Sequence, residues 1–113
     1  MANNLEELCP ALILLHKGCV VACRIDPLKP GSHAWIGVYP LWNYEHLKRK
    51  GDYRIRVFDV YDRYLVNDND VWDGVMQNRA DIYVFGDEEM IAKVKDYIDP
   101  INLTNTLDSE YPV

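Results

Sequence analysis

The chain has 113 residues, of which 49% are hydrophobic and 27% are charged, and its formal net charge is −6. This length and composition fit one domain with one hydrophobic core, and they exclude a globally disordered protein. The longest apolar run, residues 8–15, contains a proline and is too short for a membrane-spanning helix, which needs about 20 residues.

The cysteines Cys9, Cys19 and Cys23 are odd in number and have no regular spacing. This pattern is typical of reduced thiols rather than of a secreted disulfide framework. The first residues also lack the basic start of a signal peptide. The sequence therefore predicts a cytoplasmic protein without a membrane span.

The start of the chain allows two interpretations. In the first, a short helix over residues 5–9 ends at the following proline, because proline removes a backbone donor. The apolar runs 11–15 and 19–25 then predict a hairpin of two strands, with Gly18 supplying the positive φ of its turn. In the second, the helix continues to Lys17, because the leucines of this stretch keep helical spacing.

The rest of the chain alternates strand and helix signals. Branched residues or a period of two predict strands, and apolar residues at helical spacing predict helices. The predicted elements are strands at 34–39, 53–60 and 81–85, helices at 41–50, 71–78 and 88–98, a turn at 67–70 and a loosely attached tail at 101–113. We therefore expect a single α+β domain over residues 1–100, with a mainly antiparallel sheet of about five strands and two to three helices packed on one face.

Candidate catalytic and metal-binding residues are few. His16, Cys19 and Cys23 lie close together, but their spacing matches no common zinc motif. The acidic stretch 67–74 fails the calcium-loop pattern at its fifth and sixth positions. A pairing of Cys23 with His46 is the weak remaining candidate for a nucleophile and its base. We therefore expect no enzyme active site, no metal and no cofactor.

A basic stretch, Lys48-Arg49-Lys50, has aromatic neighbours, and Arg54 and Arg56 extend it along one face of a predicted strand. A patch of this kind can hold phosphate. A basic helix C-terminus that complements the helix dipole accounts for the same residues. Because residues 51–113 carry fourteen acidic and six basic residues, we expect no nucleic-acid partner.

The most distinctive feature is a region, residues 59–73, that combines carboxylates with tyrosine and tryptophan. Tyrosine and tryptophan anchor protein interfaces, and carboxylates steer a basic partner toward them. The alternative is a solvated face whose aromatic side chains turn into the core. The residues predicted to bind a basic protein partner are Asp59, Tyr61, Asp62, Tyr64, Asp68, Asp70, Trp72 and Asp73.

In its size, its acidity and this acidic-aromatic composition, the chain resembles the immunity proteins of bacterial toxin systems. The resemblance implies a small inhibitor that neutralises a basic, nuclease-type toxin by direct binding. Two other classes stay open. One is a small enzyme or ligand-binding domain whose site is assembled only in the fold, and the other is an adaptor subunit of a non-toxin complex.

Overall fold

The structure is a computed structural model, and it describes residues 5–27, 30–42, 44–46, 49–61, 77–109 and 111. The elements in this part of the chain are α1 (Leu5–Leu8), α2 (Leu12–His16), β1 (Val21–Ile25), β2 (Ser32–Pro40), β3 (Tyr53–Tyr61), β4 (Gln77–Val84), α3 (Asp87–Val94), a 3-10 turn (Pro100–Asn102) and β5 (Thr104–Asn105). The strands form one antiparallel sheet in the order β4-β3-β2-β1-β5. The predicted α+β fold, with five strands and three helices, is confirmed.

Two short helices occupy the start of the chain, and of the predicted hairpin only the second strand exists, as β1. The prediction of a strand at 11–15 is therefore wrong. Gly18 has the expected positive φ of 88°, but it ends α2 instead of joining two strands. Its amide and that of Cys19 bond back to the carbonyls of Leu15 and Leu14, at 2.9 and 3.0 Å. This pattern satisfies the last carbonyls of a helix and terminates it.

The centre of the sheet is the pair β2 and β3. The two strands pair over nine residues each, with Ser32 opposite Tyr61 and Pro40 opposite Tyr53. The strands predicted at 34–39 and 53–60 are thus confirmed and slightly extended. Their alternation of side chains sends every second residue to one face of the sheet, and this decides which residues can form a site.

The helix predicted over residues 41–50 is wrong for the described part of that stretch, which forms turns. Leu41 instead continues the pairing of β2 with β3, because its amide bonds the Asp52 carbonyl at 2.9 Å and its side chain is buried. Gly51 does not end a helix. A Cβ at this position would lie 2.5 Å from the Val84 carbonyl oxygen, so the close approach of two backbone segments requires glycine.

β4 begins at Gln77, inside the stretch predicted as a helix at 71–78, so the end of that prediction is wrong. Its earlier residues and the predicted turn at 67–70 lie outside the described residues. The strand predicted at 81–85 is confirmed, and Gly86, with a φ of 80°, turns the chain from β4 into α3 as expected. α3 is shorter than the helix predicted over 88–98.

One face of the sheet, called here the helix-covered face, packs against all three α-helices. The interior between the two layers is apolar, and each fully buried side chain contributes roughly 1.5–3 kcal/mol through burial. The fully buried members of this core include Cys9, Leu12, Leu15, Val21, Ile36, Val38, Ile55, Met90 and Val94. The helices thus pack on one face of the sheet, as the sequence predicts.

The opposite face, called here the far face, carries a second cluster made mainly of aromatic side chains. Trp35 and Phe58 are its largest buried rings, with their centroids 6.0 Å apart, and Ala22 and Val60 are fully buried beside them. Tyr111 packs on Phe58 at 5.6 Å and lies over Gly37, where a Cβ would meet its hydroxyl at 2.4 Å. A glycine at the centre of β2 therefore makes room for a ring from the C-terminal segment.

The described part of the C-terminal segment is not the loosely attached tail predicted for residues 101–113. Thr104 and Asn105 form β5 and pair with β1, and Tyr111 is only 8% exposed. The Trp35 indole nitrogen donates to the Ser109 carbonyl at 3.0 Å. Small polar residues made this segment look detached in sequence, whereas a few buried contacts fix it to the sheet.

Candidate functional site

A cavity of about 660 Å³ lies at one end of the helix-covered face. In the described part of the chain, α3 ends at Val94 and the chain continues in turns, so that residues 96–98 border this part of the sheet. The sheet supplies an apolar floor, and the residues that follow α3 supply a wall. The lining residues of this acidic cavity are Arg24, Ile25, Asp26, Pro27, Val57, Asp59, Ala80, Asp96, Tyr97 and Ile98.

Carboxylates dominate the charge of the acidic cavity. Asp59 of β3 is only 4% exposed, whereas Asp26 and Asp96 lie at the solvent-exposed rim. Among the described lining residues, Arg24 is the only basic one, and its guanidinium lies over the Trp35 ring of the far face, 5.3 Å from the centroid. The cavity therefore has an excess of negative charge, and this charge favours a cationic group.

The helices that pack on the same face of the sheet also carry more acidic than basic residues. Residues 5–17 and 87–103, which contain α1, α2, α3 and the 3-10 turn, carry seven acidic and three basic residues. Large apolar side chains are exposed among them, with Leu8 at 45%, Ile13 at 51% and Ile101 at 55%. We call these two ranges the acidic helix surface. Carboxylates mixed with exposed apolar side chains suit contact with a basic protein.

Of the eight residues predicted to bind a partner, Asp59 and Tyr61 lie in β3, and the other six lie outside the described residues. Asp59 lines the acidic cavity, and Tyr61 is half-buried at the end of its strand. The fold brings Asp59 together with Asp26 and Asp96, which the sequence analysis does not select. Asp96 was hidden by the prediction of a helix to residue 98, since an exposed helical aspartate has no distinctive pattern.

A second polar group ties the helices to the sheet. Asp87, the first residue of α3, accepts a hydrogen bond from the Tyr53 hydroxyl at 2.5 Å and lies 2.9 Å from His16 Nε2. Burial raises the pKa of Tyr53, and the bond to Asp87 raises it further. Tyr53 is therefore a neutral hydrogen-bond donor, and the cluster joins α2, β3 and α3.

Two of the cysteines, Cys9 and Cys23, lie in surroundings that do not activate a thiol. Burial raises the pKa of Cys9 and of Cys23, and the Cys23 thiol donates to the Arg24 carbonyl at 3.2 Å. A reactive cysteine needs the opposite, a lowered pKa beside a cation or a helix N-terminus. Cys19 is exposed just after α2, and all three thiols are free. Across the described ranges, no three His, Cys, Asp or Glu side chains are grouped as a metal ion would require.

No protein-family model matches the chain, and neither does any curated protein or solved structure. In the part of the chain that the structure describes, no helix has the length and apolarity to cross a membrane. Only the geometry and charge of the chain itself bear on its function.

Proposed function

We propose that this protein is a small protein-binding inhibitor of the bacterial immunity type, which neutralises a basic, nuclease-type toxin in the cytoplasm by direct binding. The observation that carries the proposal is the acidic cavity beside the acidic helix surface. Both lie on the helix-covered side of the sheet, where carboxylates outnumber basic residues among the described residues and large apolar side chains are exposed. Such a side raises the rate of encounter with a basic protein and supplies contacts that persist after encounter.

The acidic cavity gives the interface a site of insertion. A lysine or arginine side chain has an apolar stem and a cationic end. The apolar floor of Ile25 and Val57 suits the stem, and the carboxylates of Asp59 and Asp96 suit the cationic end. Tyr97, which is 40% exposed, offers an aromatic wall to the same side chain. A basic side chain enclosed in this way is the kind of contact that dominates binding energy.

Asp59 connects this cavity with the predicted partner-binding region at 59–73. It is the first residue of that region and lies at the cavity floor. The contribution of Asp62, Tyr64, Asp68, Asp70, Trp72 and Asp73 stays a prediction from sequence. The proposed interface therefore consists of the acidic cavity, the acidic helix surface and this region.

The first test identifies the partner and asks which residues bind it. The tagged chain retrieves proteins from the organism that encodes it, and the affinity of the purified partner is measured for Tyr97→Ala and Asp96→Ala. We expect Tyr97→Ala to weaken binding about 30-fold, because an anchor is worth on the order of 2 kcal/mol, and Asp96→Ala mainly to slow association. Glu45→Ala is the matched control, because Glu45 is exposed on the loop at the other end of the sheet.

The inhibitory role requires a second measurement with the same partner. Expression of the partner alone should stop bacterial growth, and co-expression of the wild-type chain should restore it. If the double variant Asp96→Ala/Tyr97→Ala keeps the melting temperature of the wild-type chain and binds the partner with unchanged affinity, the interface lies elsewhere. A partner that is not toxic, or whose toxicity the chain does not relieve, would remove the inhibitor assignment and leave an adaptor role.

The cavity also favours a second candidate function, a ligand-binding domain or enzyme whose site is assembled only in the fold. Small-molecule sites typically have volumes of about 300–1,000 Å³ with mainly apolar walls and a few polar groups. The acidic cavity, at about 660 Å³, lies within that range. A small organic amine that raises the melting temperature of the purified chain, with the effect lost in Asp96→Ala, would favour this candidate.

A further inference from the structure

Arg54 occupies an unusual position on the far face. It lies in β3 between Tyr39 of β2 and Tyr83 of β4, which are its direct neighbours in the sheet register. Its guanidinium stacks over the Tyr39 ring, 4.5 Å from the centroid. The Nε atom of Arg54 is buried and has no hydrogen-bond partner among the residues that the structure describes. A buried donor without a partner is rare, and it is costly unless a ligand or ion satisfies it.

Arg56, two residues further along the same strand, provides the contrast. Its Nε donates to Asp81 at 2.7 Å, and Arg79 lies 3.6 Å from the other oxygen of that carboxylate. Asp81 is thus committed to two arginines and does not serve Arg54. Arg56 therefore has a carboxylate partner within the protein, whereas the Nε donor of Arg54 is unsatisfied in the described part of the chain.

The surroundings of Arg54 favour an anion. Lys50 brings a second positive charge, with its Nζ 5.2 Å from the centroid of the Tyr83 ring beside Arg54. On the other side, the hydroxyls of Tyr39 and Tyr111 are 2.6 Å apart and hydrogen-bonded to each other. Burial raises the pKa of both tyrosines, so they remain neutral and do not repel an anion.

We propose that Arg54 and Lys50 form a binding site for a small ligand that carries a phosphate-type oxyanion. The guanidinium supplies directed donors in the fork that matches such an oxyanion, and the ammonium supplies a point charge. A small anion fits better than a nucleic acid, because a long polyanion would also meet the strongly negative remainder of the chain. The site is independent of the proposed function, since it lies on the opposite face of the sheet from the acidic cavity.

The experiment uses the full chain labelled with ¹⁵N and observes the arginine Nε–H signals by NMR. Inorganic phosphate is titrated at constant ionic strength, with chloride as the balancing anion. We expect a saturable shift of the Arg54 Nε–H signal and of the Tyr83 amide. Arg54→Met should abolish saturable binding, and Arg54→Lys should weaken it about tenfold because the directed fork is lost. Lys50→Gln should weaken it severalfold, whereas Lys95→Gln, on the helix side, should leave it unchanged.

Several results would overturn the site. A shift that is linear in phosphate and equal in sulfate and chloride would indicate an adventitious ion only. Arg54→Lys keeps the charge and the fold. Unchanged phosphate affinity in this variant would mean that the directed donors of the guanidinium do not bind phosphate. A dT oligonucleotide that binds more tightly than phosphate, with binding lost in Arg54→Met, would replace the small ligand by a nucleic acid. Failure of the partner test above leaves all these outcomes unaffected.

Discussion

The two faces of the sheet are covered by different kinds of side chain. On the helix-covered face, Ile55 and Val38 are fully buried in a cluster of apolar side chains beneath the helices. On the far face, the next residue of β3 is Arg56, paired with Asp81, and the buried rings of Trp35 and Phe58 lie beside it. The apolar face supplies stability with little directional bonding, while the far face places charges at fixed positions.

Within a single strand, the residues that stabilise the fold therefore lie on one face, and the residues proposed to bind an anion lie on the other. Consecutive residues of β3 point to opposite faces of the sheet, so their replacement should affect the stability of the fold differently. The two sides of the sheet also differ in the sign of their charged residues. Among the described residues, the helix side carries an excess of carboxylates, whereas Arg54, Arg56 and Arg79 outnumber Asp81 on the far face. The basic partner and the small anion proposed above would therefore occupy opposite faces of the sheet.

The largest expected effect tests this separation at two adjacent residues. Ile55→Ala, on the helix-covered face, should lower the free energy of unfolding by about 2–5 kcal/mol, because it opens a cavity in a sealed core. Arg54→Met should leave it unchanged or raise it by up to about 1 kcal/mol, because it removes a buried donor that has no partner. Urea denaturation of both variants measures the difference.

The same pair of variants can break the comparison. A loss in Arg54→Met as large as the loss in Ile55→Ala would mean that the far-face arginine is structural. Arg54→Lys then separates charge from shape, since it keeps the cation and loses the planar group that stacks on Tyr39.

The central strands and the first helix were predictable from sequence, whereas α2 was anticipated only by the second of the two interpretations of the start of the chain. Alternation of apolar and basic residues over 53–57 predicts a strand with one face on the core, and in the structure Ile55 lies in that core while Arg54 and Arg56 lie on the far face. Residues 11–15 are apolar throughout, so periodicity does not separate a short helix from a buried strand. The helix is decided by tertiary packing of Leu12 and Leu15 on the sheet and by the turn at Gly18.

The candidate sites were less predictable, because they are assembled across the sheet. Arg54 and Arg56 were expected on one face, but no sequence pattern reveals that Asp81 of another strand pairs with only one of them. The acidic cavity depends on where α3 ends, and a difference of one helical turn decides whether Asp96 faces solvent or a cavity. The pairing of residues across strands and the residue at which a helix ends both depend on contacts between distant parts of the chain.

The second prediction concerns the cover of the far face. Tyr111→Ala should cost about 2–4 kcal/mol, because a buried ring and its hydrogen bond to Tyr39 are lost. Gly37→Ala alone should also destabilise, since its Cβ would meet the Tyr111 hydroxyl at 2.4 Å. With Tyr111 already removed, the same alanine should be neutral or stabilising, because glycine in a strand is unfavourable. Thermal or urea unfolding of the four proteins closes the cycle.

A coupling of about 1 kcal/mol or more between the two positions is expected, since they are in direct contact. Additive effects would mean that Tyr111 does not rest on Gly37 in solution. In that case the C-terminal segment would be the loosely attached tail that the sequence alone predicts.

The smallest expected effect is a change in alkaline stability from Tyr53→Phe. Burial raises the pKa of Tyr53 above its ordinary value of about 10, with the Asp87 bond adding to the shift. The folded state therefore keeps a proton that the unfolded state loses. Its stabilising effect is complete below pH about 10 and declines as pH rises beyond that value. Tyr53→Phe should lose about 1 kcal/mol at neutral pH, through the missing hydrogen bond, and should then decline less steeply with rising pH.

The measurement is the free energy of unfolding from pH 8 to 11.5 for the wild type, Tyr53→Phe and Val84→Ala. The slopes of the first two should differ by up to about 1.4 kcal/mol per pH unit, which is the effect of one titrating group. Val84→Ala truncates a buried side chain of the same core without an ionisable group, so its slope should match the wild type. The buried tyrosines of the far face, Tyr39 and Tyr111, remain in every variant and contribute equally. Parallel slopes for wild type and Tyr53→Phe would mean that the hydroxyl is open to solvent, and that the helix-covered face is not sealed at Asp87.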